Sequence, residues 1–316
     1  MNTDEHSPTI IVSRFTIVIE YLSEGRISSN IANTIRGGFG ATLRSLVCPF
    51  SNKSCNDCIL ASKCAYGYIF ETPIPSTTEI MRKYLYAPHP LIIIPPKESS
   101  RKVKEKSTTK IEVTLIGKAI DYFPYIFLAF KELGTRGLGA DKIKFNIHKV
   151  ISDNGDLLYS YENDVLRDLT NKQIYIINTG LSKNGIFSIH FITPLRLKVK
   201  GRIASLPSFE DIIAALTRRA FLLSYFHCGG NGKPIHTQFL KHAESVEMLD
   251  SHIIQLNHDR FSGRQHQKIP MSGFMGTLTF RGNHGLFMPL LKLGEYIHLG
   301  KDTIFGYGQI RTEVLS

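Results

Sequence analysis

Histidines and cysteines are the residues of this sequence with the widest scope for chemistry. The chain contains twelve histidines and five cysteines. An imidazole titrates near neutral pH, so a histidine can take up or release a proton during a reaction. Cysteine thiolates are strong ligands for metal ions such as zinc. The positions of these residues therefore decide which kind of site the chain can form.

His227 is the histidine whose sequence context most favours catalysis. It ends a predicted helix over residues 208–227 and precedes a Cys-Gly-Gly turn, which would place it at a helix end beside a glycine-rich loop. It also continues the apolar stripe of that helix, which predicts a packed side chain instead. Both alternatives stay open. His266 and His298 are further catalytic candidates, whereas His6, His89, His148 and His190 are interpreted as structural or surface residues.

Four of the cysteines form a compact cluster with the pattern C-x6-C-x2-C-x5-C, made of Cys48, Cys55, Cys58 and Cys64. This spacing favours a tetrahedral zinc ion in a closed structural site, which would do no chemistry. An iron–sulfur cluster also uses four cysteines, so the metal is not determined, and four unligated thiols are the remaining alternative. We expect the site to fold a segment that is too polar to form a core of its own.

The composition favours a polyanionic partner. Lys and Arg number 38 against 27 Asp and Glu, which gives a net charge of +11 and an isoelectric point near 9.4. A charge of this size predicts nucleic-acid binding. Arg36 and Arg44 lie on one side of a predicted helix, either as phosphate contacts or as solvated side chains. The residues predicted to contact nucleic acid are Arg36, Arg44, Lys233, Arg260, Arg264, Gln265, Lys268, Gly300 and Lys301.

No apolar run reaches the ~18 residues that span a bilayer, and the polar N-terminus lacks the core of a signal peptide. We therefore expect a cytoplasmic protein without a membrane partner. Because the cytoplasm is reducing, disulfides are not expected among the cysteines.

The hydrophobic periodicity predicts the same order of elements in each half of the chain. The first half gives strands over 9–22, 85–94, 110–117 and 142–151, with helices over 30–47 and 121–133. The second half gives strands over 186–200, 247–258, 272–280 and 309–314, with helices over 208–227 and 286–297. Residues 95–110 and 153–185 are predicted as a basic loop and a linker.

Both halves have the order β-α-β-β-α-β, which is the ferredoxin-like pattern. The prediction is an α+β protein of two tandem ferredoxin-like domains, residues 1–180 and 181–316, with a cysteine-rich insertion at 48–64 in the first. Each half contains a helix with a proline near its start, Pro124 in the first half and Pro289 in the second. In both halves a basic glycine-rich turn and then a strand follow this helix, which favours an internal duplication.

The last sixty residues carry a resemblance to a known family. The sequence LGKDTIFGYGQIR, residues 299–311, sets three glycines around Lys301 and Asp302. Together with Arg264-Gln265, residues 273–280 and residues 289–301, it resembles the C-terminal domain of the CRISPR repeat-cleaving endoribonucleases of the Cas6 family, which are RAMP proteins. Cysteines similar to those at 48–64 occur in some branches of that family. The resemblance also implies the two ferredoxin-like domains.

The resemblance implies an enzyme that needs no catalytic metal and cuts CRISPR repeat precursor RNA into guide RNA. The RNA 2′-hydroxyl would attack the adjacent phosphate and leave a 2′,3′-cyclic phosphate and a 5′-hydroxyl. His227 or His266 would transfer the proton, and Lys301 would stabilise the charge on the phosphate. Several family members carry their catalytic histidine on or just after the first helix, but residues 30–47 contain none.

Two alternatives to this enzyme remain. The first is a non-catalytic RAMP subunit that binds guide RNA within a CRISPR effector complex, in which case the subunits of that complex are also partners. The second is a DNA- or tRNA-binding protein with the same fold. Charge and predicted fold do not separate these functions from the nuclease.

Overall fold

The computed structural model describes residues 9–27, 31–50, 54–55, 58–61, 63–96, 101–176, 180–231, 237–256, 259–262, 267–270 and 272–315. Within these ranges only the backbone is described for residues 101, 237–239, 259–262 and 267–270.

The chain divides into two compact units. The N-terminal unit comprises residues 11–173 together with 226–228, and the C-terminal unit comprises the rest of the chain. The domain boundary expected after residue 180 stays a prediction.

The elements of the first half begin with β1 (Thr9–Tyr21), β2 (Gly25–Ile27) and α1 (Ile31–Val47). Next come β3 (Leu91–Ile94), β4 (Arg101–Val103), β5 (Thr108–Ile116), α2 (Phe123–Arg136), β6 (Phe145–Ser152) and β7 (Leu157–Ser160). A π-helical turn spans Gly67–Glu71 and a 3-10 helix spans Gly117–Tyr122.

The main sheet of the N-terminal unit has the strand order β3-β5-β1-β6-β7, with antiparallel neighbours. Without the added β7, this is the ferredoxin-like order. Helix α1 buries Ile31, Ile35, Phe39 and Leu43, which recur every four residues and so form one face. Phe39 packs against Phe130 of α2 with ring centroids 5.0 Å apart, so the two helices share a core.

The elements of the second half are β8 (Gln173–Ile176), β9 (Asn184–Leu195), β10 (Lys198–Val199), β11 (Arg202–Ile203), α3 (Phe209–His227) and α4 (Thr237–Glu244). They continue with β12 (Glu247–Leu256), β13 (Asp259–Ser262), β14 (Gln267–Pro270), β15 (Gly273–Asn283), α5 (Met288–Ile297) and β16 (Ile310–Val314).

The sheet of the C-terminal unit has the order β12-β15-β9-β16, again with antiparallel neighbours. Its core is aromatic: the ring centroids of Phe187 and Phe280 are 5.6 Å apart, and those of Phe209 and Phe287 are 5.0 Å apart. The predicted α+β fold with two ferredoxin-like domains is therefore confirmed, while the insertion at 48–64 stays a prediction.

Three segments differ from the sequence-based expectation. The strand expected over 85–94 is confined to Leu91–Ile94, because Pro88 and Pro90 cannot donate to a strand ladder. The predicted basic loop over 95–110 contains β4, which pairs with β2, and the start of β5. The predicted linker contains β7, which pairs with β6, and β8.

Across the described ranges, none of the helices combines the length and the apolar character needed to cross a membrane.

Candidate functional site

The glycine-rich loop between α5 and β16 is closely packed against the end of β9. The Leu299 amide donates to Gly308 O at 2.8 Å, and the Lys301 amide donates to Arg196 O at 2.9 Å. Gly300 and Gly308 have φ angles of 82° and 70°, and a Cβ on Gly308 would lie 1.8 Å from the carbonyl oxygen of Leu299. Only glycine fits such a position. The loop thus holds the exposed side chain of Lys301 on a fixed backbone.

His298, at the start of the same loop, is a structural residue in this geometry. Its side chain is fully buried, and its Nδ1 lies 3.0 Å from Tyr307 O. Asp302 forms an ion pair with Arg196, whose Nε donates to Ser272 O at 3.0 Å. These contacts stabilise the loop. Lys301 is the charged residue of the loop whose side chain is exposed.

His227 lies at the end of α3, as predicted, but its ring is only 1% exposed. Its Nε2 lies 2.7 Å from Pro88 O, and its Nδ1 lies 3.0 Å from the hydroxyl of Tyr68. Because a carbonyl only accepts hydrogen bonds, Nε2 donates to Pro88, and a neutral ring accepts at Nδ1 from Tyr68. Burial raises the pKa of Tyr68, which keeps this hydroxyl protonated. The geometry favours the packed alternative for His227 over the catalytic one.

The two arginines of α1 lie over aromatic rings. The guanidinium carbon of Arg36 is 4.3 Å from the centroid of Phe70, and that of Arg44 is 5.7 Å from the centroid of Tyr66. The two rings stack with their centroids 5.2 Å apart. Both arginines are half-buried, so neither is the freely solvated side chain of the alternative prediction. Each guanidinium has a cation–π contact that fixes its position.

The four clustered cysteines line one cavity of about 150 Å³, which we call the cysteine cavity. The Cys48 thiol donates to Phe50 O at 3.1 Å. Burial, aided by the charge of Glu71, raises the pKa of Cys55 to about 11. Within the part of the chain that the structure describes, no three His, Cys, Asp or Glu residues are placed to hold a metal ion. The geometry therefore does not support the predicted zinc site, although the donor chemistry of four thiols suits zinc.

The predicted basic turn lies on a two-stranded hairpin, β13 paired with β14. Arg260 pairs in register with Ile269, and Lys268 with Phe261; only their backbones are described. The predicted contacts Lys233, Arg264 and Gln265 and the candidate catalytic His266 lie outside the described residues.

A polar cluster on the sheet of the C-terminal unit has no signature in the sequence. The ring of His190 lies 2.9 Å from Thr277 Oγ1 through Nδ1 and 3.2 Å from Glu313 Oε2 through Nε2. Strand alternation could place each side chain on a face. The side chains come together only because β9 pairs with β15 and with β16. No local sequence pattern predicts this pairing.

Two family models match the chain. Residues 9–173 match the model described as the N-terminal domain of AF_1859, and residues 189–310 match that of the CRISPR-associated endoribonuclease Cas6. Residues 189–310 therefore belong to the Cas6 family. The resemblance drawn from the C-terminal motifs is thereby confirmed, whereas the branch with four cysteines stays a prediction.

Similar proteins cover most of the length of this chain. An uncharacterized protein from Archaeoglobus fulgidus is 26% identical over 92% of this chain and 94% of its own length. The structure resembles a Thermus thermophilus Cas6 with a TM-score of 0.54 at 13% identity, covering 96% of this chain and 99% of that one. A product complex of the same Cas6 gives 0.54 at 15% identity with the same coverage. At these identities, the structural matches establish the shared fold.

Proposed function

We propose that this Cas6 family member binds CRISPR repeat RNA and cleaves it without a catalytic metal ion. The observation that carries the proposal is the match of residues 189–310 to the Cas6 endoribonuclease family. The fold shared with a Cas6 product complex and the net charge of +11 support it. In this proposal the 2′-hydroxyl attacks the adjacent phosphorus, and the products are a 2′,3′-cyclic phosphate and a 5′-hydroxyl.

The chemistry needs a base for the 2′-hydroxyl, an acid for the leaving 5′ oxygen and positive charge near the phosphate. Lys301 can supply positive charge near the RNA phosphates, because the packed loop fixes the backbone from which its exposed side chain extends. A lysine held in this way loses little further backbone freedom when it meets a phosphate. We propose Lys301 as a phosphate contact during cleavage.

Binding would draw on further basic residues. Arg36 and Arg44 are positioned by their aromatic neighbours, and a guanidinium over a ring can still donate hydrogen bonds in its own plane. The hairpin β13–β14 carries Arg260 and Lys268. We propose these residues, together with Lys233, Arg264, Gln265, Gly300 and Lys301, as RNA contacts.

A second candidate is a non-catalytic subunit that binds guide RNA within a CRISPR effector complex. The burial of His227 and His298 favours it, because neither ring is accessible to a substrate. Helix α1 also contains no histidine. This candidate predicts tight RNA binding without cleavage, and CRISPR effector subunits as protein partners.

A structural zinc ion at Cys48, Cys55, Cys58 and Cys64 stays part of the proposal. The spacing of the cysteines and their common cavity support it, whereas the described geometry forms no coordinating group. In such a site the four thiolates would hold the chain between α1 and β3 together and contact no substrate.

The test of the function uses the purified protein, EDTA and an end-labelled transcript of the repeat from the host's own CRISPR array. The nuclease proposal expects one cut per repeat with a cyclic phosphate end, and no cut when the nucleotide at the scissile position is 2′-deoxy. Tight binding without cleavage would support the non-catalytic subunit. Absence of binding, or equal binding of a DNA of the same sequence, would contradict both.

A further inference from the structure

One face of the four-stranded sheet in the C-terminal unit carries several polar side chains, with Ile254 and Met275 beside them. The opposite face carries the fully buried Phe187, Ile189, Leu278 and Phe280. Successive side chains of a strand point to opposite faces. The residues that alternate with these four along β9 and β15 therefore point away from the aromatic core. We call the surface that they form the polar face; it includes Ser188, His190, Thr277 and Thr279.

The strand register aligns four side chains across the polar face. His252 of β12 pairs with Thr277 of β15, which pairs with His190 of β9. His190 pairs in turn with Arg311 of β16. Residues directly opposite each other in antiparallel strands lie on the same face. The four therefore form one row, which we call the histidine row, and it crosses all four strands of this sheet.

His190 has the contacts expected of a general base. Its Nε2 donates to Glu313 Oε2 at 3.2 Å, and Glu313 lies on the polar face two residues after Arg311. Since a carboxylate only accepts, this bond fixes the tautomer in which Nδ1 of the neutral ring carries a lone pair. That nitrogen lies 2.9 Å from the hydroxyl of Thr277. A carboxylate orients the imidazole, and the imidazole accepts from a hydroxyl, as in hydrolases that activate a hydroxyl.

The ring of His190 is accessible, with 29% of the side chain exposed. The hydroxyl of Thr277 occupies the nitrogen that an RNA 2′-hydroxyl would need. The Thr277 hydroxyl can turn its hydrogen to another acceptor, which would leave the lone pair of Nδ1 to a ribose hydroxyl. By contrast, His227, His284 and His298 are 1%, 3% and 0% exposed.

His252 lies on the other side of Thr277 and supplies the second proton-transfer group. Its side chain is 79% exposed, and its Nδ1 lies 3.0 Å from Asp250 Oδ2. With Nδ1 held by the carboxylate, Nε2 is the nitrogen that would face a substrate. Two strand spacings of ~4.8 Å separate the backbones of His190 and His252, which leaves room for one ribose and its phosphate above Thr277.

We propose that His190 and His252 are the base and the acid of the RNA cleavage proposed above, and that Arg311 stabilises the charge on the scissile phosphate, while Lys301 contacts a neighbouring phosphate. This inference rests on that proposed function. Nδ1 of His190 takes the proton of the 2′-hydroxyl, and the 2′ oxygen forms a bond to phosphorus. The bond from phosphorus to the 5′ oxygen breaks, and the imidazolium form of His252, which carries protons on both nitrogens, donates its Nε2 proton to that oxygen. Exchange with water then restores both rings, and Glu313 acts as a positioning residue.

The experiment measures single-turnover cleavage of the labelled repeat transcript in EDTA by His190→Ala and His252→Ala. Each is expected to cut roughly 10²–10⁴-fold more slowly than the wild type, the usual contribution of one general acid or base. The dissociation constant for RNA should change less than threefold. His242→Ala is the matched control, because His242 is exposed on α4 and lies outside the histidine row. Added imidazole should restore part of the rate of His190→Ala.

Folding of each variant is checked by thermal unfolding, and His190→Gln is the second variant if His190→Ala unfolds. A folded His190 variant that cuts at the wild-type rate overturns the inference and leaves the proposed function intact. A wild type that binds the transcript without cutting it overturns both.

Glu313→Gln tests the positioning role. The amide can present either its oxygen or its NH₂ group to Nε2 and lacks the negative charge that stabilises an imidazolium, so we expect the rate to fall tenfold or more at unchanged RNA affinity. Glu313→Asp, which keeps the carboxylate, should recover part of the rate. Equal rates for Glu313→Gln and the wild type would contradict the assignment of Glu313.

Discussion

The phenol oxygen of Tyr68 lies 3.0 Å from Nδ1 of His227, and the other nitrogen of the same ring lies 2.7 Å from Pro88 O. Both ring nitrogens are therefore satisfied in a site that is 1% exposed. A buried imidazole with two partners contributes to stability and has no free nitrogen to offer a substrate.

Replacement of His227 by Ala should therefore lower stability more than activity. It removes a partner of the Tyr68 hydroxyl and of the Pro88 carbonyl, which are half-buried, at a cost of up to about 1–3 kcal/mol each. Tyr68→Phe, which keeps the ring, should cost about 1 kcal/mol. Urea unfolding measures both changes. A folded His227→Ala protein that cuts RNA more than a hundredfold more slowly than the wild type would instead restore His227 as a catalytic residue.

Two glycines of α1 should respond to alanine in opposite directions. A Cβ on Gly40 would lie 2.2 Å from the ring of Phe70, whereas a Cβ on Gly37 meets no atom within 4 Å. Gly40→Ala should thus cost about 1–3 kcal/mol through overpacking. Gly37→Ala should stabilise the helix by about 0.5–1 kcal/mol. The unfolding free energies of the two variants test this. Destabilisation by Gly37→Ala would contradict the expectation that alanine stabilises the helix at this open position.

Lys301→Ala should weaken RNA binding and flatten its salt dependence. Loss of one phosphate contact should lower the slope of log K against log salt by about 0.7–0.9. Lys118→Ala is the control, because Lys118 is also exposed but lies on the 3-10 helix before α2. Binding isotherms at several salt concentrations give the slopes. Equal slopes for Lys301→Ala and wild type would remove Lys301 from the proposed interface.

The stability of the protein should fall in acid partly through His284. Burial, aided by the charge of Lys183, lowers the pKa of His284 below its usual value of 6.5. The unfolded chain therefore binds more protons than the folded one, and this group stabilises the fold above pH 6.5 but loses that effect as the pH falls through its folded pKa. His284→Phe should reduce the loss of unfolding free energy between pH 7 and pH 5. An unchanged pH dependence would contradict this.

The cysteine cavity yields a prediction about metal content. The zinc proposal, which rests on the cysteine spacing, expects one zinc per chain by elemental analysis of protein purified under reducing conditions. Cys58→Ser should lower both zinc content and stability, whereas Cys228→Ser should leave the zinc in place, because Cys228 does not line the cavity. Wild-type protein that contains no metal, and whose unfolding free energy does not change when zinc is added, would contradict the zinc site. Iron in place of zinc would identify an iron–sulfur cluster.

The fold could be predicted because its determinants are local. The four-residue spacing of Ile31, Ile35, Phe39 and Leu43 specifies the buried face of α1. The alternation of Phe187, Ile189 and Phe191 specifies the buried face of β9. The order of such segments was enough to predict two ferredoxin-like domains. The family resemblance then drew on motifs close together in the last sixty residues.

The candidate site could not be predicted in the same way. The stripe of α3 included His227, so the sequence left its burial open, and Tyr68 and Pro88 are distant in the chain. The sequence alone indicates a structural or surface role for His190, because no neighbouring residue shows that Glu313 and His252 lie close to it in the sheet. Their alignment depends on the register of four strands, which non-local pairing decides.

Phe226–Cys228 belong to the N-terminal unit although they are far from its other residues in the sequence, and this affects how the unit folds during synthesis on the ribosome. Residues 11–173 emerge first, but the unit also contains residues 226–228. His227, which bonds Tyr68 and Pro88, is added only after residues 174–225 have been made. At about 5–20 residues per second, this interval lasts several seconds. During that time Tyr68 and Pro88 of the nascent N-terminal unit lack their contacts with the His227 ring. The unit can therefore complete its folding only when more than two-thirds of the chain has been translated.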